Sequence, residues 1–329
     1  NLLSTLMGGL SGSSLADAAM QCKMLVPTME SKGYSKSFST VITAASGMVV
    51  PLIPPGVGLI IYGCINNISI GKLFIAGIGP GIVLCVTLMI FTHFLSKKRG
   101  YLPSRTTKIP VSEKIAAVRP AFLPLLLPII IIGGVRIGVF TASEAGTVAI
   151  VYAVLLGLLY KELTLKNVMQ GCKETVTTTA SIMLIVAAAT CFSWILTKEQ
   201  IPQQFSQWMI SNIHNKYVFL IMVNIFLLIV GMFIEGNASM IVLAPLLHPV
   251  AMAYGIDDIH FAMVYIFNCT IGAFTPPMGT LMFVSCGITK CPTKDFIKEA
   301  VPFYILFAID IIVLTYIPQL TTFLVNVFY

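Results

Sequence analysis

Two proline pairs lie 222 residues apart, each inside an apolar stretch: Ile53-Pro54-Pro55 and Thr275-Pro276-Pro277. Proline lacks a backbone N–H and clashes with the preceding turn, so each pair predicts an interrupted helix. The surrounding residues repeat at the same offset of 222 without a gap, which indicates an internal duplication. The matching pairs include Pro27 with Pro249, Gly33 with Gly255, Cys64 with Cys286, Lys72 with Lys294, and Pro80 with Pro302.

The composition sets the environment in which these helices fold. Hydrophobic residues make up 57% of the 329 residues and charged residues only 10%, whereas soluble domains carry about a quarter charged residues. We therefore predict a polytopic membrane protein. The net charge of +7 does not favour nucleic-acid binding, because the basic residues cluster in a few loops. The eight cysteines form no C-x-x-C motif and are interpreted as small buried apolar residues.

The distribution of Lys and Arg predicts the orientation of the spans. Apolar stretches occur at about 38–65, 71–96, 120–135, 144–160, 175–196, 217–234, 239–253, 258–288 and 300–325. Placing the basic loop 97–119 in the cytoplasm puts 16 of the 20 Lys and Arg residues on that side, as the positive-inside rule requires. In this arrangement the two interrupted segments run in opposite directions, so the duplication is an inverted repeat.

Two further segments predict helical hairpins with polar tips. Residues 1–30 and 217–253 each have the pattern of two short helices, which meet at Ser11-Gly12-Ser13-Ser14 and at Glu235-Gly236-Asn237-Ala238-Ser239. A polar tip at membrane depth requires burial in protein or a cavity, so both hairpins are expected to be re-entrant. The predicted fold is an all-α polytopic membrane protein, an inverted repeat with two re-entrant helical hairpins and two Pro-Pro broken transmembrane helices.

The repeat also predicts how the chain is divided. The expected parts are 1–70, first half of a transport domain; 71–215, scaffold and arm helices; 216–290, second half of the transport domain; and 291–329, a C-terminal scaffold helix. The second copy has two spans before its hairpin that the first copy lacks. By this repeat arithmetic, roughly 80 to 100 residues are expected to precede residue 1.

The tips and interruptions are the candidate ion sites. Sodium prefers hard oxygen ligands, which unwound carbonyls and hydroxyl groups supply without a buried charge. The alternative is that Ser and Gly only permit close helix packing and that Pro only kinks helices. The candidate sodium ligands are Ser11, Ser14, Val50, Ile53 and Pro55 in the first copy, and Gly236, Gly272, Thr275 and Met278 in the second.

Other polar residues near the tips are candidates for substrate binding. Ser13, Ser46, Asn237, Ser239 and Asn268 could hydrogen-bond a polar substrate, and helix N-termini after the interruptions could receive an anionic group. The alternative is that these side chains satisfy one another or the local backbone. Three acids in apolar segments are also candidates, with helix capping or pairing as the alternative: Asp17, Glu235 and Asp310.

The sequence lacks the motifs that are typical of several other classes of protein. Gly71-Lys72 is not a phosphate-binding loop, because Asn66 replaces the required Gly and Leu73 the required Ser or Thr. No G-x-S-x-G or H-E-x-x-H motif is present, and the four histidines have no metal-ligand spacing, so an enzyme is not expected. A channel with re-entrant filter loops predicts a continuous polar pathway, whereas here the polar residues concentrate at two tips.

Several motifs in order resemble one family over essentially the whole chain. Gly8 to Ala18 and Ile53-Pro54-Pro55, with Thr141 to Gly146, Gly231 to Ala238 and Ile271 to Gly279, resemble the large membrane subunit of TRAP (tripartite ATP-independent periplasmic) transporters, the DctM-like family. The resemblance implies a multi-pass protein of the bacterial inner membrane that imports an organic acid with sodium as the coupling ion, no other cofactor, and an elevator mechanism.

The same resemblance implies partners and places the family's sodium sites on the nine candidate ligands given above. The expected partners are a small four-helix membrane subunit and a periplasmic substrate-binding protein, with membrane lipid around the helices. The substrate could be sialic acid, a C4-dicarboxylate or a keto sugar acid. The alternative is a stand-alone sodium/dicarboxylate-type symporter of the same superfamily.

Overall fold

The computed structural model describes residues 1–101 and 111–329, without the side chains of 111–121, 142, 193, 197 and 202. Over this part, the chain is all-helical, as predicted. It forms fifteen α-helices: α1 (Leu2–Ser11), α2 (Ser14–Glu30), α3 (Lys36–Gly47), α4 (Val57–Asn66), α5 (Ile70–Lys98), α6 (Val111–Arg136), α7 (Ala142–Leu159), α8 (Leu165–Lys198), α9 (Ile201–Asn212), α10 (Lys216–Phe233), α11 (Gly236–Ala253), α12 (Asp258–Phe274), α13 (Thr280–Thr289), α14 (Thr293–Tyr316) and α15 (Gln319–Phe328).

The doubled prolines lie between helices in both copies. Residues 48–56 separate α3 from α4, and residues 275–279 separate α12 from α13. The peptide bonds Pro54-Pro55 and Pro276-Pro277 are both cis. Each separating segment leaves unpaired N–H groups at the start of the helix that follows it, because the first turn of a helix has no partner for them.

The helix caps follow the repeat, with one shift of register. Ser35 caps α3 and Asp257 caps α12, at the sequence offset of 222. At the other end, Asn67 after α4 and Lys290 after α13 are left-handed and lie 223 residues apart. The two copies therefore differ by one residue between these caps, although the matching sequence letters show no gap.

The helices of the two copies interlock. The second half of each interrupted helix packs on the hairpin of the other copy, so that α4 contacts α11 and α13 contacts α2. Helix α12 lies at the centre, packs along α10 and is buried almost throughout, including the large rings of Phe261 and Tyr265. This packing brings the two hairpin tips to the middle of the molecule.

Helices α7, α8 and α9 lie at the periphery and expose apolar side chains such as Leu155, Leu165 and Trp194. Soluble proteins rarely expose such continuous apolar surface. Among the described residues, four helices are long and apolar enough to cross a membrane, or five if the bent pair α14 and α15 is one span. These features confirm the prediction of a polytopic membrane protein.

Two elements differ from the sequence prediction. The helices of the second hairpin, α10 and α11, have 18 residues each, which is about 27 Å at 1.5 Å per residue, rather than being short. Helix α9 was not predicted, because Ile201, Phe205 and Trp208 recur at helical spacing among polar residues in a segment without a long apolar run.

Candidate functional site

A cavity of about 180 Å³ lies where the two hairpin tips meet. Gly12, Ser13 and Ser14 of the first tip line it, and so do Glu235, Gly236 and Asn237 of the second. Its remaining lining comes from the interruptions and the helices next to them, from the hairpin helices α2 and α11, and from α8: Leu15, Pro51, Val57, Gly58, Thr178, Ile182, Met240, Ile266, Cys269, Thr270, Ala273 and Thr280.

Four helices begin at this cavity. Their first residues, Ser14 of α2, Val57 of α4, Gly236 of α11 and Thr280 of α13, all line it. A helix N-terminus carries unpaired N–H groups and the positive end of the helix dipole. Among the residues that the structure describes, the lining includes no Lys, Arg or His, and its one carboxylate is Glu235. The positive partial charges at the cavity wall therefore come from backbone N–H groups.

The first tip rests directly on the first interruption. The backbone N–H of Val57 donates to the carbonyl oxygen of Gly12 at 3.2 Å. Gly12 has φ +62°, and a Cβ atom there would lie 2.7 Å from the carbonyl oxygen of Pro55, so only glycine fits. Ser13 caps α2 by accepting from the N–H of Ala16 at 3.4 Å.

The second tip is held by a carboxylate cap and a close helix contact. Glu235 Oε2 accepts from the N–H of Ala238 at 3.0 Å, at the start of α11. Nearby, α10 and α12 approach so closely that a Cβ atom on Gly272 would lie 2.6 Å from Gly231 Cα. The end of α12 is thereby held against the helix that leads into the second tip.

The predicted sodium ligands lie around both tips, in different surroundings. Ser14 and Gly236 line the cavity. Val50 is buried against Gly8, Ile53 against Gly81, and the Pro55 carbonyl faces Gly12. Gly272 contacts Gly231, and the Thr275 hydroxyl donates to the Ile271 carbonyl at 2.8 Å. Ser11 and Met278 are exposed to the surroundings of the chain.

The predicted substrate residues divide into two groups. Ser13 and Asn237 line the cavity, whereas the other three do not and bond within the protein. Ser46 donates to the side chain of Asn1 and to the Ile42 carbonyl. Ser239 lies 3.3 Å from the hydroxyl of Tyr265, and Asn268 donates to Asn224 Oδ1 and to the Val264 carbonyl, each at 2.8 Å.

Three buried ionisable side chains away from the cavity have hydrogen-bond partners within the protein. Asp17 accepts from Gln21 Nε2 at 2.7 Å, and Asp310 accepts from the Thr87 hydroxyl at 3.0 Å. Both ring nitrogens of His260 are within hydrogen-bond distance of α14 or α15, at the Thr315 carbonyl and the Thr321 hydroxyl. Among the described residues, no cluster of His, Cys, Asp or Glu could hold a metal ion.

The threonines of the lining were missed by the sequence analysis: Thr178, Thr270 and Thr280. Thr270 and Thr280 flank the second interruption, and proximity to it could have suggested them. Thr178 lies in a threonine run inside the long apolar helix α8, where the sequence carries no sign that one of these hydroxyls faces a cavity.

The fold and the cavity define a polytopic helical membrane protein with a central polar site. Residues 2–320 match the family described as "Tripartite ATP-independent periplasmic transporter, DctM component", and the chain belongs to this family. This is a family of transporter permeases, not of enzymes.

Three relatives illustrate the range of this family. The chain is 40% identical over 328 residues to the sialic acid TRAP transporter large permease protein SiaM of Vibrio cholerae, covering 99% of this chain and 76% of that protein. It is 36% identical over 322 residues to the C4-dicarboxylate TRAP transporter large permease protein DctM of Pseudomonas aeruginosa, covering 98% and 75%. It is 34% identical over 320 residues to the 2,3-diketo-L-gulonate TRAP transporter large permease protein YiaN of Escherichia coli, covering 97% and 75%.

Proposed function

We propose that this chain is the permease subunit of a sodium-coupled, binding-protein-dependent secondary transporter that imports an organic acid across a bacterial inner membrane. The observation that carries this proposal is the convergence of four helix N-termini on one cavity that no basic side chain lines. A carboxylate placed there lies at the positive ends of the helix dipoles and accepts from first-turn N–H groups other than those of Ala16, Val57 and Ala238, which already have partners.

The relatives agree with an anionic substrate. Their names specify transport of sialic acid, C4-dicarboxylate and 2,3-diketo-L-gulonate, all of which are organic acids. A cavity of about 180 Å³ suits recognition of part of such a molecule, and the side chains of Ser13 and Asn237 add hydrogen-bonding groups to its wall. In this proposal, Ser46, Ser239 and Asn268 do not line the cavity but hold its surrounding helices together through hydrogen bonds.

Sodium coupling is supported by the oxygen atoms that surround the same tips. Carbonyl groups of the interrupted segments and hydroxyls of the tips are hard ligands suited to an alkali cation, and a bound cation offsets the charge of the anion. Because Val57 bonds to Gly12, a cation held at the first interruption would also order the first tip. The proposed ligands are Ser11, Ser14, Val50, Ile53, Pro55, Gly236, Gly272, Thr275 and Met278.

The interlocked helices support an elevator mechanism. Each hairpin packs on the interrupted helix of the other copy, so the tips and interruptions form one body. We propose that this body moves relative to the peripheral helices α6 to α9, so that the tips and interruptions carry the substrate from one membrane face to the other and face Thr178 of α8 in one of the two positions. Both hairpins would then be re-entrant, and their tips would remain at membrane depth.

The proposed assembly contains a small membrane subunit and a periplasmic binding protein, as the word tripartite in the family description implies. Uptake of labelled sialic acid, succinate and 2,3-diketo-L-gulonate is measured in proteoliposomes that contain the permease and its small subunit. We expect concentrative uptake of at least one anion that requires both an inward sodium gradient and the binding protein.

This assay tests each component of the proposal separately. Uptake that persists when potassium replaces sodium contradicts sodium coupling. Uptake that needs no binding protein favours the stand-alone symporter. Conduction of anions down their gradient at channel rates, without accumulation, contradicts a secondary transporter.

A further inference from the structure

Helix α8 closes one side of the cavity. Thr178 and Ile182, one helical turn apart, both line it. Thr178 itself is exposed, and Ile182 begins the less exposed side of the helix, which continues at helical spacing through Ile185, Val186 and Ala189. Since α8 packs against α11, this stripe holds Thr178 beside the second hairpin.

The hydroxyl of Thr178 is free for a ligand. Thr175, Thr177 and Ser181 on the same helix donate to carbonyl oxygens four residues earlier, at 2.8, 2.9 and 2.9 Å. Thr178 makes no such bond to any residue that the structure describes. A free hydroxyl can donate one hydrogen bond and accept two, so Thr178 presents both functions to the cavity.

The α8 side of the cavity differs from the side formed by the tips and interruptions, which offers helix N-termini together with uncharged side chains such as those of Ser13 and Asn237. All four helix N-termini belong to the tips and interruptions. Thr178 lies well inside α8, where every backbone N–H is already paired within the helix. The α8 side therefore offers a neutral side-chain hydroxyl and an apolar neighbour, Ile182, but no unpaired backbone donors.

We infer that Thr178 is a specificity-determining residue that hydrogen-bonds an uncharged hydroxyl or amide group of the transported anion. This inference rests on the proposed function. It narrows the substrate class to organic acids with such groups, for example sugar acids, because a simple dicarboxylate has no uncharged polar group to place against α8.

The test compares Thr178→Val, which keeps the shape but removes the hydroxyl, with Thr178→Ser, which keeps it. Thr177→Val is the matched control, since its hydroxyl bonds only to its own helix. In proteoliposomes with the partner subunits, sialic acid, 2,3-diketo-L-gulonate and succinate serve as probes. We expect Thr178→Val to raise the half-saturating concentration of the hydroxyl-bearing substrate about fivefold, as for one lost hydrogen bond, and Thr178→Ser to restore it.

The outcomes separate this inference from the proposed function. Equal behaviour of Thr178→Val and Thr177→Val overturns the inference while leaving sodium-coupled uptake intact. Wild-type transport of succinate alone also overturns it. If the wild-type protein transports none of the three anions with sodium, the proposed function fails and the inference fails with it.

A second measurement detects contact without relying on transport rates. Thr178→Cys and Thr177→Cys are each labelled with a maleimide, and site-localised mass spectrometry distinguishes them from the exposed Cys172 and Cys191. We expect the hydroxyl-bearing substrate to slow labelling at residue 178 and not at residue 177. Equal protection at both residues, or at neither, contradicts a direct contact.

Discussion

At equivalent positions of the two copies of the repeat, different side-chain interactions hold the helices together. In the first copy, the Arg99 guanidinium lies 4.8 Å from the ring centre of Phe38 and pairs with Glu299. In the second copy, 222 residues further on, the equivalent pair is His260 and Thr321, whose polar side-chain atoms are 3.0 Å apart. The Arg99 side chain is 30% exposed, whereas His260 is only 2% exposed.

This difference shows that the duplication preserved the positions of helices and not the interactions at them. Arg99 ends α5 beside the basic loop that the charge distribution assigns to the cytoplasm, where water solvates a charged side chain. In the second copy the chain bends by 49° between α14 and α15, and Thr321 of α15 covers His260. A buried position excludes an unpaired charge, so a neutral hydrogen-bonded pair replaces the ion pair there.

The hairpins differ in a similar way. In the first copy, a Cβ atom on Gly8 would lie 3.1 Å from Val50 Cα, a tight but attainable distance. In the second copy, glycines occupy both sides of the contact, at Gly231 and Gly272, and their backbones touch. At this contact, the second hairpin therefore lies closer to its interrupted helix than the first hairpin does.

The strongest test of this difference is Gly272→Val. The new side chain meets Gly231 backbone atoms that cannot rotate away, so we expect a loss of about 3 kcal/mol in the free energy of unfolding. Gly287→Val is the control, because a Cβ atom there meets nothing within 4 Å. Thermal unfolding in detergent measures both, and equal melting temperatures for the two variants contradict the close contact.

Removing the buried hydrogen bonds of the second copy has the next largest expected effect. His260→Leu removes the hydrogen-bond partner of the Thr315 carbonyl and leaves the Thr321 hydroxyl only the Pro318 carbonyl, at a cost of about 2 kcal/mol. At the equivalent position of the first copy, Phe38→Leu keeps an apolar side chain and costs less than about 1.5 kcal/mol. The same unfolding experiment compares them, and the opposite ranking would show that the His260 bonds contribute little to stability.

The smallest expected effect belongs to the partly exposed ion pair. Arg99→Gln removes the contacts with Glu299 and Phe38 and is expected to cost about 1 kcal/mol. Because salt screens exposed charges, the difference in the free energy of unfolding between this variant and wild type should shrink when the KCl concentration is raised. Thermal unfolding in detergent at several KCl concentrations measures this. Potassium is used so that sodium binding does not contribute. A difference that does not change with KCl would assign the effect to packing of the Arg99 side chain.

The helical class and the membrane environment could be predicted from the sequence, because apolar composition and run length depend on residue types alone. The sequence could not predict where individual side chains point. Ser46, Ser239 and Asn268 have the residue types of substrate ligands, yet bond to Ile42, Tyr265 and Asn224 within the protein. In contrast, Thr178 has four hydroxyl-bearing neighbours that look the same in the sequence, at positions 175, 177, 179 and 181, and only helix packing places Thr178 at the cavity.

The one-residue shift between the helix caps of the two copies could not be predicted from the sequence either. The matching letters give a constant offset, but the left-handed caps at Asn67 and Lys290 are displaced by one further residue. Either residue can take the left-handed conformation in a helix cap, so the shift follows from how the second half of each interrupted helix packs on the opposite hairpin.

In the proposed function, the four helix N-termini at the cavity attract anions in a way that does not depend on pH. Peptide dipoles do not titrate, so this part of the attraction does not change across the pH range in which the chain stays folded. Every residue type except proline supplies the same N–H group, so amino-acid exchange within the first turns leaves it in place. In the proposed function, the side chains that select one organic acid over another can therefore change while the N–H groups that hold its carboxylate are kept.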